Sequence, residues 1–254
     1  MAILGPHYST YEVAVEDFLL ARELGLIASM HCAGAEAKTP DGWDRLAKEG
    51  LLGSNNNIVH GNKLTDEQLK MMIDLGVTFS LTPEMEMAQG HGYPITGRLK
   101  ALGSAPSLGV DLESGISGDM FTVARMAMGM QRAIDNAHSK EAYGKLPDTS
   151  TITCKEALEW ITIRGAQALK MEDQIGSLRV GKKADVVIIR ASDINMCPVH
   201  DPISSVIMQT SLHNIDTVII NGEMKKRNGQ LLYENLHTGK LKLEESGKRL
   251  MKQL

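Results

Sequence analysis

The chain is short of cysteine, aromatic residues and long apolar runs, and each shortage removes a class of protein. Its three cysteines, Cys32, Cys154 and Cys197, are far apart and odd in number. They form neither a disulfide framework nor a C-x-x-C site, which points to a reducing compartment, with the cytoplasm as the expected location. No apolar run approaches the roughly 20 residues needed to span a bilayer, so no membrane partner is expected. The opening segment, Met1 to Pro6, has no charged n-region and no long apolar core, and so does not read as a signal peptide. Lysine and arginine total 27 against 31 acidic residues, scattered without a basic stripe, which argues against nucleic acid as a partner. Aromatics make up only 4% of the chain whereas methionine numbers 15. Methionine fills irregular gaps, and ordinary core filling is the simpler account of it.

What is present is size and a rhythm. With 254 residues, 43% of them hydrophobic, the chain can bury a sizeable core. Its first half alternates helix and strand. Ser9-Thr10-Tyr11-Glu12 reads as a capping box opening a helix through Leu24 that Gly25 stops. A strand then ends at His31, a short helix runs from Asp41 to about Gly50, and a second strand ends at His60. Thr65-Asp66-Glu67-Gln68 is another capping box, whose helix ends at Leu75-Gly76. Val77 to Leu81 is a strand by its β-branched and apolar content, and a Gly-rich loop is expected from Glu84 to about Gly97. A short helix over Arg98 to Leu102, a strand ending at Asp111 and a long helix from Asp119 to His138 complete the series, with a fifth strand expected at Ala2-Ile3-Leu4. Strands spaced by helices imply parallel βα units.

The second half changes character. Thr153-Cys154-Lys155-Glu156 is a third capping box, opening one helix that carries Ala157, Leu158, Ile161 and Ala168 on one side. Ala184 to Ile189 reads as a strand. Thr217 to Ile220 and Glu223 to Arg227 flank Asn221-Gly222, a type I′ hairpin signal, and Asn228-Gly229 turns again into Gln230 to Tyr233. The lysine-rich tail from His237 reads as a solvated helix.

Three residues stand out because each closes a β-like run: His31, His60 and Asp111. In an alternating β/α barrel the C-terminal strand ends converge on the catalytic face, so metal-ligand residue types there point to metal chemistry. Taken singly, each histidine is better explained as a satisfied polar group near a strand end. It is the series that carries weight.

These pieces resemble the amidohydrolase superfamily, in its cytosine-deaminase-like and chlorohydrolase-like branch. The most specific stretch is Gly176-Ser177-Leu178-Arg179-Val180-Gly181-Lys182-Lys183-Ala184-Asp185-Val186-Val187, a G-S-L-x-x-G-K-x-A-D-h-V run, where h is apolar, and the hairpin at Asn221-Gly222 fits as well. The resemblance implies an α/β architecture: a partial TIM-like (β/α) barrel of about strands 4–8 over residues 1–175, then over 176–254 a small antiparallel sheet of a composite β-sandwich with a C-terminal helix. It implies a deaminase-like, metal-dependent hydrolase of a C–N bond other than a peptide bond, in a cyclic or amide-like small molecule, with a metal-activated water as nucleophile. His31 would be a metal ligand and His60 a contact to nucleophile and substrate. Asp111 would touch the metal and take the proton from its water. The cofactor expected of the full-length parent is one divalent ion, zinc or iron.

Two departures from the family pattern matter. No His-x-His pair, which supplies two ligands in the family, occurs among the eight histidines, and the chain starts at about the family's fourth strand. That leaves a rival reading open, a catalytically silent fragment or scaffold subunit. Deaminases of this branch also place a glutamate three residues after the His31 equivalent; here that residue is Gly34, with Glu36 two further on. No lysine lies between Ala2 and Tyr8, which fits a mononuclear site. In the loop after the Val77–Leu81 strand, Glu84 and His91 are candidates for substrate contact, with a plain solvated loop as the alternative. Glu113 and Asp119 are weaker candidates, and Asp119 sits where a helix cap belongs. Open barrel edges invite pairing, so a homo-oligomer or association through an exposed barrel edge is expected.

Overall fold

Residues 1–253 are described here by a computed structural model. Two separate four-stranded sheets organise it. The first is parallel, in the order β1 (Ala28–Cys32), β2 (Asn56–His60), β3 (Thr78–Leu81), β4 (Ser107–Leu108). Each strand pairs with the next in sequence, from Ala28↔Asn56 across to Leu81↔Leu108. Helices intervene as the alternation predicts: Tyr11–Glu23 precedes β1, Gly42–Lys48 and Asp66–Asp74 flank β2, and Met120–Tyr143 follows β4.

The period-2 alternation of a strand sends neighbouring side chains to opposite faces. On one face Ala28, Met30, Cys32, Ile58, Phe79, Leu81 and Leu108 are buried, in one core with Phe18, Leu46, Leu69, Met72 and Leu99 from the helices. On the other face, beside Val59, the residues Ser29, Asn57, Thr78, Ser80 and Ser107 are polar and bonded to each other. Asn57 Nδ2 donates to Ser29 Oγ at 3.1 Å, and Asn57 Oδ1 accepts from Thr78 at 3.1 Å and from Ser80 at 3.0 Å. The Ser80 and Ser107 hydroxyls share a hydrogen bond of 2.8 Å. This face is thus knit by polar side chains in place of the branched apolar residues that usually fill a barrel.

Several expectations need correction. Ala2 to Leu4 does not form a strand; Ala2 makes one parallel bridge to Ser29, because Gly5-Pro6 turns the chain at once into the helix Gly5–Tyr8. Ser9 is not a helix cap: its Oγ donates to Gly5 O at 2.7 Å, closing the short helix, and Thr10 at the next N-cap makes no side-chain bond. The expected loop from Glu84 begins instead with a helix, Pro83–Ala88, which Pro83 starts with its preset φ. β4 stops at Leu108, so Asp111 stands three residues beyond it. The single helix after Thr153 is two, Cys154–Trp160 and Ile163–Ala168, broken at Thr162, whose φ and ψ of −132° and −96° are not helical.

The second sheet is antiparallel, in the order β5 (Val186–Ile189), β6 (Ile215–Ile220), β7 (Glu223–Arg227), β8 (Gln230–Leu231). Asn221 and Gly222, at φ of +51° and +80°, make the β6–β7 turn the dipeptide predicts. The G-S-L-x-x-G-K-x-A-D stretch explains itself in bonds. Gly176 has φ +83° and an added Cβ would lie 2.6 Å from the Ala166 Cβ, so only glycine fits against the Ile163–Ala168 helix. Lys182 Nζ donates to Glu172 O, Ile175 O and Ser177 Oγ, tying the linker to itself. Asp185 Oδ1 accepts from Asn221 N at 2.7 Å, pinning the β6–β7 turn against the start of β5. Among the described residues no helix is long and apolar enough to cross a membrane.

Candidate active site

The parallel strands carry their polar endings to one rim. His31 is the penultimate residue of β1, His60 ends β2 and Asp111 follows β4. The His31 and His60 rings lie 5.4 Å apart between centroids, and His60 Nε2 stands 4.0 Å from Asp111 Oδ2. His91 joins from the loop after Pro83–Ala88, its ring 5.3 Å from that of His60. Of the four candidates for metal or substrate contact named beside His60, the structure thus gathers His31, Asp111 and His91.

Glu84 is placed differently. Its carboxylate accepts from Ser117 N at 3.1 Å and Ser117 Oγ at 2.7 Å, so it braces the loop between Asp111 and the long helix. Asp119 is the N-cap of Met120–Tyr143, accepting from Phe121 N at 3.0 Å. Glu36 is 94% exposed and pairs with Lys63 at 3.4 Å. Gly34, by contrast, lies under His91: a Cβ there would sit 3.5 Å from the ring. His91 therefore covers the position that the glutamate holds in the deaminase pattern.

Sequence reasoning missed Glu86. It is wholly buried, and its Oε1 accepts from Thr82 N at 2.8 Å and faces His60 Nδ1 at 3.3 Å. Its Oε2 takes Asn62 Nδ2 at 3.4 Å, and the same amide donates to Tyr93 O at 2.8 Å. The signal available was the pair Glu84 and Glu86, two residues apart: once Pro83 is seen to start a helix, the two must point to different sides.

The electrostatics suit neutral imidazoles. Desolvation first, and then the neighbouring His60, hold the His31 pKa below the usual histidine value, against the pull of Asp111. The same two causes, in the same order, lower that of His91, against the pull of Glu86 and Asp111. The backbone is strained at this rim as well. His60 and Asp111 have φ of +70° and +67°, in the left-handed region that non-glycine residues seldom enter. Strain of that kind collects at functional sites.

Imidazole and carboxylate are the right donors for zinc or iron. They are too few, however: a catalytic site of this kind uses three protein ligands or more, and among the described residues no group of three His, Cys, Asp or Glu side chains has metal-holding geometry. His31 and Asp111 fit part of a metal site. A cavity of about 540 Å³ lies elsewhere, at the opposite ends of β3 and β4, lined by Thr78, Ser107, Trp160 and the Lys100–Glu156 ion pair. It does not adjoin the histidines.

A family model described as the amidohydrolase family matches residues 6–225. Among curated proteins, a 5-methylthioadenosine/S-adenosylhomocysteine deaminase of Teredinibacter turnerae is 31% identical over 182 residues, covering 70% of this chain and 38% of that protein. Among solved structures, an adenosine deaminase from Xanthomonas campestris with bound zinc superposes with a TM-score of 0.84 at 22% identity, over 99% of this chain and 57% of that one. Atrazine chlorohydrolase TrzN from Arthrobacter aurescens, complexed with zinc, gives 0.79 at 19% identity, over 94% and 52%. The chain spans about half the length of the curated relatives it matches, between 38% and 58%.

Proposed function

The chain belongs to the amidohydrolase family, and from that premise we propose that it carries the proton-handling part of a hydrolase site for C–N bonds other than peptide bonds. The observation that supports this most is the meeting of His31, His60 and Asp111 at one rim, two of them with strained backbone. His31 and Asp111 would hold one divalent ion, with its other ligands supplied from outside this set of residues. Such an ion, when bound, supplies a water acidic enough to react at neutral pH. Asp111 takes the proton released when water attacks the substrate carbon and passes it to the departing nitrogen. His60, with Nε2 toward Asp111, contacts the attacking water and the substrate. His91, over Gly34, lies against the leaving group.

The substrate class is a small cyclic or amide-like molecule. The deaminases among the relatives make 5-methylthioadenosine, S-adenosylhomocysteine and 5'-deoxyadenosine the first compounds to try. We read β1 to β4 as about the fifth to eighth strands of a partial barrel in residues 1–175, with 176–254 as a second, smaller domain of a composite β-sandwich. Glu84 contributes to substrate choice by fixing the loop after Asp111. The β4 edge of the parallel sheet is where a second chain would associate.

Ammonia release measured with and without a chelator, and after zinc is restored, tests the activity. Turnover that chelation stops and zinc restores is expected; turnover indifferent to the chelator contradicts it.

A further inference from the structure

We infer that Glu86 is a positioning residue that fixes the tautomer of His60, holding the proton on Nδ1 so that Nε2 faces Asp111 as an acceptor. The inference rests on the reading of His60 as a member of the site. Two groups lie near His60 Nδ1: Thr82 Oγ1 at 3.1 Å and Glu86 Oε1 at 3.3 Å. A threonine hydroxyl either donates or accepts, so it accommodates both tautomers and selects neither. A carboxylate only accepts. Glu86 is held in that role by two further donors, Thr82 N–H on Oε1 and the Asn62 amide on Oε2. The carboxylate is wholly buried, and among the described residues the basic side chain it faces within 4 Å is His60. Burying a carboxylate is costly unless its hydrogen bonds serve it; here they serve it by collecting N–H donors, and the His60 Nδ1–H is the third. Tautomer choice set by the bond at the other ring nitrogen is the general rule for histidine.

The same carboxylate links His60 to the rim. The amide of Asn62 bonds both Glu86 and Tyr93 O, two residues past His91. Glu86 thereby fixes the distance between His60 and the loop that carries His91. This reach explains why a buried acid stands at this turn of the Pro83–Ala88 helix, where its neighbours Pro83 and Met85 are apolar.

The test is nitrogen NMR of the full chain labelled in histidine, with His60 assigned from the signal missing in His60→Asn. A pH series is followed to its alkaline limb, where the ring is neutral. The wild type is expected to show a pyrrole-type Nδ1 and a pyridine-type Nε2. In Glu86→Met, which removes the acceptor from beside Nδ1, both signals should move toward intermediate positions. In Thr82→Val, which keeps the backbone N–H, the wild-type tautomer should persist. A wild-type His60 protonated on Nε2 overturns the inference by itself, even if the variants do not fold. So does a tautomer that Glu86→Met leaves unchanged, or one that Thr82→Val alone abolishes. The readout needs neither turnover nor metal, so a chain that hydrolyses nothing would sink the proposed activity and leave this result standing.

Discussion

His60 and Asp111 hold φ near +70° where the chain could have continued as a strand. That geometry turns their side chains toward the rim and costs about 1–3 kcal/mol per residue. On the proposed function that strain serves the reaction, and a substitution at Asp111 tests it. Replacing Asp111 with Asn removes the proton acceptor while leaving the backbone as it is. Turnover should fall by about 10²-fold or more, while the melting temperature, followed by circular dichroism, stays within a degree or two of wild type or rises. A variant of unchanged turnover would remove Asp111 from the reaction. Cysteine provides a separate test at the same scale. Cys32 is fully buried and burial pushes its thiol up to about 12, whereas Cys197 is exposed. A thiolate-selective reagent at pH 8 should label Cys197 first and reach Cys32 only after unfolding. Labelling of Cys32 at the rate of Cys197 would contradict the packing of β1.

At the scale of elements, the capping boxes at Thr65 and Thr153 form as read, with both reciprocal bonds present. Thr153→Ala should cost about 1 kcal/mol in chemical denaturation. Gly176→Ala should cost more, because it meets both a positive φ and a 2.6 Å contact with the Ala166 Cβ. Trp160, nearly fully buried, should lose about 3–5 kcal/mol on truncation to alanine. The legibility of the sequence follows the range of the forces. Local signals such as capping boxes, the Asn221-Gly222 turn and apolar strands flanked by breakers were readable because each is written within a few residues. So was the partnership of His31, His60 and Asp111, since strand ends share a rim by topology. What was not readable depended on neighbours. Ser9 matched a capping pattern, yet its hydroxyl found Gly5 O. Glycines near Glu84 suggested a loop, yet Pro83 had already begun a helix. Glu86 is legible only once that helix folds it under His60.

For the whole molecule, the titrating groups set a pH range. Desolvation and His60 lower the pKa of His91, so on acidification the unfolded chain binds a proton before the folded one. Stability present above the ordinary histidine value, about 6.5, should therefore decline as pH falls through it, and His91→Asn should flatten that limb. At the alkaline end the sign reverses. Burial, and then Glu49, raise Tyr11 to about 12, and burial raises Cys32 to about 12. The unfolded chain then loses those protons first, and stability should fall from about pH 8.5, the free thiol value, toward pH 12. Melting temperatures across pH check both limbs, with Tyr11→Phe reducing the alkaline one. The open parallel sheet should associate, and light scattering that gave a monomer at all concentrations would count against it. The most direct measurement of the central claim is zinc affinity, read by competition with a chromophoric chelator, for the wild type, His31→Asn and Asp111→Asn. If these two side chains hold the ion, each substitution should weaken binding by about tenfold or more; affinities equal to that of the wild type would show that the rim of β1 to β4 is not where the metal sits.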